Sequence, residues 1–226
     1  MTPRFAQFVD PIFMHVIDLV ESIDNGTQPS PERERRLIND RLRIAEHELK
    51  RTDPDSWKLA KYALVSWIDE SLLNATNWSG RTWWRDHILE REHFEGGADC
   101  HEKFFVEAKQ AASLPAGNDA LETYYICTML GFYGFYGSES QAKDDERTQL
   151  VAQRFDLPPD FTTWTGNVAD VIEQRHAQQR AGANLDAAEQ TIVTATPMWS
   201  RARLLWPWLL AVLVFGLVII AAKAML

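Results

Sequence analysis

The sequence predicts an all-α protein, with about seven helices of roughly 10–20 residues packed into bundles and one further helix that crosses a membrane. Two observations carry that reading. No segment alternates apolar and polar residues with period two, whereas several repeat apolar residues every three or four positions. The second observation is Leu204–Ala222, LLWPWLLAVLVFGLVIIAA, a run without one charged or amide side chain. A helix of that length rises about 28 Å, close to the ~30 Å hydrocarbon thickness of a bilayer.

Phe5, Phe8, Val9, Ile12, Phe13, Val16, Ile17 and Val20 recur at helical spacing, and Asn25-Gly26 ends this first helix. After a loop over Thr27–Pro31, Ser30 is placed to cap a second helix with Pro31 at its first position. Leu37, Ile38, Leu42, Ala45 and Leu49 form its apolar face, and its Glu- and Arg-rich face is expected to be solvated. Asp53-Pro54-Asp55 breaks the chain, and a third helix is expected over about Ser56–Asn74. Its stripe is Trp57, Ala60, Leu64, Val65, Ile68 and Leu72. Asn77–Gly80 reads as a turn, Thr82 as the cap of a helix over Trp83–His93, and Glu95-Gly96-Gly97 as its end. A helix from about Asp99 to Ala112 turns Phe104, Phe105 and Ala108 inward and stops before Pro115. Asn118 or Asp119 caps Leu121–Leu130, which leads into a glycine–aromatic turn over Gly131–Gly137. A helix over about Glu139–Arg154 halts at Asp156-Leu157-Pro158-Pro159, and Val168–Arg180 is expected to be a last polar helix. Ala181–Ser200 is small, polar and unpatterned, and reads as a tether. Residues 1–180 are thus the expected helical domain, 181–200 a polar linker, 201–223 a transmembrane anchor and 224–226 a far-side tail.

Arg201 and Arg203 stand before the apolar run and Lys223 near its end. The positive-inside rule then places the N-terminal domain in the cytoplasm. Trp206 and Trp208 lie where interfacial aromatics belong, and Pro207 sits in the first turn, where a missing N–H is tolerated. Setting aside Arg201, Arg203 and Lys223 takes the formal charge from −9 to −12. That balance argues against nucleic acid and anionic headgroups and leaves basic proteins as partners. Cys100 and Cys127 lack metal-site spacing and read as reduced cytosolic thiols.

Candidate chemistry is sparse. Asp69 shares the stripe of Tyr62, Val65, Leu72 and Leu73, so it is expected to be partly buried and to need a partner. Glu70 lies beside Ala63, Ser66 and Asn74 and is expected to face water. Adjacent helical residues point about 100° apart, which favours structure or docking over a shared catalytic pair. Two E-x-x-H pairs, Glu90–His93 and Glu173–His176, suggest a di-iron bundle with Glu70 and Glu122 as further ligands. Against it, Glu173–His176 lies in EQRHAQQR, which is polar all round. No P-loop, HExxH, G-x-S-x-G or dinucleotide fingerprint occurs, and Cys127 reads as a small core residue. The spacers of Gly131–Gly137 are aromatic, so it is no phosphate cradle; Phe132, Tyr133, Phe135 and Tyr136 read mainly as packing residues. No enzyme and no cofactor emerge from these residues.

Three segments together resemble the DotU/IcmH (TssL) family, inner-membrane accessory proteins of type VI secretion systems with relatives in type IVB systems. Tyr62–Leu73, YALVSWIDESLL, is similar to the family's apolar helix ending in Asp-Glu-x-x-Leu. Trp83 or Trp84 through Glu102-Lys103-Phe104-Phe105 is similar to its Trp…Glu-x-Phe-Phe pattern. Leu121–Tyr136, LETYYICTMLGFYGFY, resembles its Leu-Glu-x-Tyr-Tyr-x-Cys…Gly-Phe-x-Gly-x-Tyr signature. The match covers about residues 5–155 and the span. The resemblance implies a cytoplasmic domain of two small helical bundles joined into a hook, and a non-enzymatic role. It implies a trans-envelope complex in the inner membrane, with the C-terminus periplasmic. Its expected partners are an IcmF-like (TssM) protein, an outer-membrane lipoprotein (TssJ) reached through the complex, and the cytoplasmic baseplate. The family's acidic pair falls on Asp69 and Glu70, expected to hold the fold or contact partners, with Tyr124, Tyr125, Phe132, Phe135 and Tyr136 in the aromatic signature. Many relatives carry a basic residue where this chain has Phe135. Some continue past the span into a peptidoglycan-binding domain, so this chain is expected to rely on a partner to grip the cell wall. A homodimer through the span is a further expectation, although no G-x-x-x-G supports a specific interface.

Overall fold

The computed structural model describes residues 1–95, 100–115, 118–137 and 146–194, the segment 183–194 as backbone. Among these residues every regular element is helical: α1 (Pro3–Asp24), α2 (Pro31–Leu49), α3 (Pro54–Asn74), α4 (Arg81–Asp86), α5 (Leu89–His93), α6 (Cys100–Ser113), α7 (Asn118–Met129), α8 (Glu146–Phe155) and α9 (Phe161–Thr194). A single 3-10 turn covers Gly134–Tyr136. The first three helices share one starting device. Each has proline in its first turn, and Thr2, Ser30 and Asp53 accept the backbone N–H of Phe5, Arg33 and Ser56. Proline there loses no helical hydrogen bond, and the capping oxygen satisfies one of the four orphan N–H groups.

α3 is the axis. Trp57, Ala60, Leu64, Val65, Ile68 and Leu72 are buried as expected, but so are Leu59, Tyr62, Ala63, Ser66, Trp67, Asp69 and Glu70. A helix enclosed on all sides is a core helix rather than an amphipathic one. α1 pairs with α2, while α6 and α7 pair with each other and pack on α3. α7 runs parallel to α3: Cys127 Sγ donates to the Ala63 carbonyl at 3.6 Å and Trp67 Nε1 to the Leu130 carbonyl at 3.4 Å. α1 also runs with α3, its Phe5 against Trp57 and its Phe13 against Trp67. One apolar core extends from Phe5 to Ile172.

Several expectations are corrected. The helix expected over Trp83–His93 is two helices, α4 and α5, broken at His87 and Ile88, and Thr82 caps neither. The charged face of α2 is not simply solvated. Glu34 is buried, its carboxylate 3.1 Å from His15 Nε2, and Arg35 reaches the His87 carbonyl at 2.8 Å and Glu92 at 2.6 Å. α9 begins seven residues earlier than expected, with Asp160 accepting the Thr163 N–H at 2.8 Å, and buries Trp164, Val168 and Ile172. It continues to Thr194, so 181–194 is helix rather than tether. Alanine, leucine, glutamine and glutamate there favour helix without any apolar periodicity.

The chain divides into two compact units, Met1–Arg175 and His176–Leu226. The expected span 201–223 and tail 224–226 lie outside the described residues, as do 195–200 of the linker. Among the described residues no helix is long and apolar enough to cross a membrane.

Phe105 is fully buried and meets Phe104, Phe135, Tyr136 and Trp164 with ring centroids 4.9–5.1 Å apart. Phe105→Ala is expected to lower unfolding free energy by about 3–5 kcal/mol, read by urea titration. Leu150→Ala, at a residue 62% exposed, is expected to change it by less than about 0.5 kcal/mol.

Candidate functional site

Asp69 and Glu70 follow one another on α3, so they point to different neighbours. Asp69 is buried. Its Oδ1 accepts the Trp84 indole N–H at 2.9 Å and the Leu89 N–H at 3.0 Å, and its Oδ2 accepts the Glu90 N–H at 2.9 Å. Leu89 and Glu90 are the first two residues of α5, which has no capping side chain of its own. Asp69 therefore caps α5 from another helix, with its charge at the positive end of the α5 dipole. This is the physical reason the chain breaks between α4 and α5. Burial pushes the Asp69 carboxyl up to about 6, against the pull of the three donors.

Glu70 does not face water; it is 9% exposed. Its Oε1 accepts the Tyr133 N–H at 2.9 Å and its Oε2 the Gly134 N–H at 3.3 Å. Three glycines with positive φ, Gly131 (94°), Gly134 (53°) and Gly137 (67°), turn the chain back beneath α3 after α7. At Gly134 a Cβ would stand 2.7 Å from the His101 carbonyl oxygen, so only glycine fits. His101 Nδ1 lies 3.5 Å from Glu70, and that contact raises the imidazole pKa despite partial burial.

The aromatic signature packs around the same turn. Tyr124 is buried edge-on to Phe104 at 4.7 Å, and Phe132 stacks on Phe104 at 4.0 Å. Phe135 is partly buried and edge-on to Phe105, so it serves the core. Tyr136 is buried and donates its hydroxyl to the Pro158 carbonyl at 2.7 Å. Tyr125 is only partly buried. Cys127 is buried, which raises its thiol pKa well above the ordinary value and keeps it protonated.

The di-iron set is not assembled. Tyr62 donates to Glu90 at 2.8 Å, His93 pairs with Asn39 at 2.8 Å, and Glu122 meets the amine of Met1. Glu173 is exposed, and His176 belongs to the second unit. Among the described residues no group of three His, Cys, Asp or Glu side chains could hold a metal ion. Sequence reasoning missed Trp84, Tyr62 and His101 as partners of these carboxylates. The signal available was that Tyr62, Trp84 and His101 fall within the motif segments, since backbone donors carry no residue signature.

The chain matches the family model described as "Type VI secretion system protein DotU" over residues 4–225. It belongs to that family. The solved "Cytoplasmic domain of TssL from Acinetobacter baumannii" is similar in fold, with a TM-score of 0.57 and 24% identity, covering 76% of this chain and 99% of that one. Among curated proteins no match was found. This DotU family member is thus a type VI secretion component whose helical fold agrees with that domain.

The native state holds the Asp69 proton more tightly than an unfolded chain, where the ordinary value is 3.8. Its contribution to stability is therefore full below about pH 4 and is lost as pH rises to about 6. Asp69→Asn lacks this titration. Relative to wild type, the variant is expected to gain about 2 kcal/mol between about pH 4 and about pH 7, measured by urea unfolding at both. A difference independent of pH contradicts the assignment.

Proposed function

We propose that the chain is a non-enzymatic scaffold subunit of the type VI secretion inner-membrane complex. In this reading it joins an IcmF-like (TssM) protein, reaches the lipoprotein (TssJ) through that complex, and docks the cytoplasmic baseplate. The observation that carries it is the family match over residues 4–225, which includes the apolar run Leu204–Ala222. The run anchors the chain as a single-pass protein of the bacterial inner membrane, domain in the cytoplasm and C-terminus in the periplasm. Anchoring raises the local concentration of the docking surface, so modest contacts suffice for assembly. Residues 1–180 do the docking, 181–200 link it to the anchor and 201–223 cross the bilayer.

The geometry supports a division of labour within the helical domain. Asp69 and Glu70 spend their hydrogen bonds on the backbone of α5 and of the Tyr133–Gly134 turn, so their role is to hold partner-facing segments in place. Tyr124, Phe132 and Tyr136 back the same turn, and Tyr125 and Phe135, each partly buried, are the members with surface to offer.

Affinity purification of the intact, detergent-solubilised protein from its native cells tests this reading. An IcmF-like protein and baseplate components are expected to co-purify. Asp69→Ala or Glu70→Ala is expected to reduce their recovery while the variant stays in the membrane fraction. Recovery of the protein alone contradicts the scaffold, and wild-type recovery by both variants contradicts the role given to the two acids.

A further inference from the structure

α1, α3 and α7 run parallel, and their C-terminal ends meet at a groove of about 370 Å³. Ile17, Val20, Trp67 and Leu130 give it apolar walls, and Glu21 and Asp24 edge it with acid. The Trp67 indole is fixed there by its bond to the Leu130 carbonyl. Next to it Met129 is 64% and Leu130 39% exposed, two of the large apolar side chains left open to solvent.

Among the described residues this end is rich in acid and poor in base. Both α1 and α7 lack a basic residue in the last turn, where the partial negative charge of a helix is normally countered. At α3 the Leu73 carbonyl is met by Arg81, but no residue lining the groove is basic. The sequence carries no Lys or Arg between Arg4 and Arg33, whereas Asp18, Glu21 and Asp24 stand exposed on the C-terminal half of α1. An apolar cleft in such a field repels an anionic membrane surface and attracts a cationic one.

We propose that this groove docks a cationic amphipathic helix of a partner protein. An apolar side chain of that helix enters between Val20, Trp67 and Leu130, and flanking Lys or Arg residues meet the carboxylates of Glu21 and Asp24. The proposal rests on the scaffold reading for the existence of such a partner, but not for the chemistry of the site.

The test uses the full chain in detergent and fluorescent peptides of about 18 residues, near five helical turns. One is a cationic Leu/Lys amphipathic helix, one its scrambled sequence and one its Leu/Glu counterpart, each corrected for empty micelles. The amphipathic cationic peptide is expected to bind about tenfold more tightly than either control and to weaken with salt. Glu21→Gln with Asp24→Asn, or Leu130→Asp alone, is expected to weaken it by about fivefold, while Asp10→Asn with Asp55→Asn leaves it unchanged. Equal binding of the scrambled cationic peptide, or equal loss in the Asp10/Asp55 variant, makes the attraction bulk charge, equal binding of the Leu/Glu peptide makes it independent of charge, and each overturns the site. If Leu130→Asp instead dissolves a dimer in sedimentation and leaves peptide binding intact, a second copy is the occupant and the proposal is wrong. Absent peptide binding with normal recovery of secretion partners removes the groove and keeps the scaffold. Peptide binding without those partners does the reverse.

Discussion

A carboxylate taken from water into a protein interior costs several kcal/mol unless fixed donors replace the water it gives up. α3 carries two such groups in succession, and the surrounding architecture answers both. Asp69 receives an indole and the opening amides of α5, and Glu70 receives the amides of the turn that follows α7. Among the described residues neither is paired with a lysine or arginine, and the imidazole of His101 lies 3.5 Å from Glu70. Charge here is balanced by backbone dipoles, which are rigid and placed by the fold itself.

That constraint links elements far apart in sequence. The donors to Asp69 come 15 to 21 residues later, and those to Glu70 come 63 to 64 residues later. α3 thereby positions the short helices α4 and α5 on one hand and the glycine–aromatic turn on the other. These are the segments least able to hold themselves: α5 has five residues, and a helix that short is not stable alone. In the proposed scaffold role, segments fixed before a partner arrives save the cost of ordering them on binding, which would subtract from affinity.

The first three helices were legible because apolar spacing marks each inward face, and Ser30 with Pro31 marked the start of α2; the same device at Thr2-Pro3 and Asp53-Pro54 went unread, the latter taken as a break before Ser56. Burial of Asp69 was legible from its place in an apolar stripe. Burial of Glu70 was not: it lies beside Ala63 and Ser66, and the turn that covers it is formed by glycines 61 to 67 residues away. The break between α4 and α5 was hidden for the same reason, since Ile88 carries no cap and the acceptor sits on another helix. The length of α9 was missed because propensity without periodicity holds it. The DotU family itself was visible in the order of three motifs, although no one of them is decisive.

Asp69 and Glu70 clasp two different backbone segments, the start of α5 and the Tyr133–Gly134 turn. Amide hydrogen exchange of wild type, Asp69→Ala and Glu70→Ala tests it most directly. Asp69→Ala is predicted to deprotect Leu89 and Glu90 while Tyr133 and Gly134 stay slow, and Glu70→Ala to do the opposite. Uniform loss of protection in both variants, or no change at these four amides, would contradict the account.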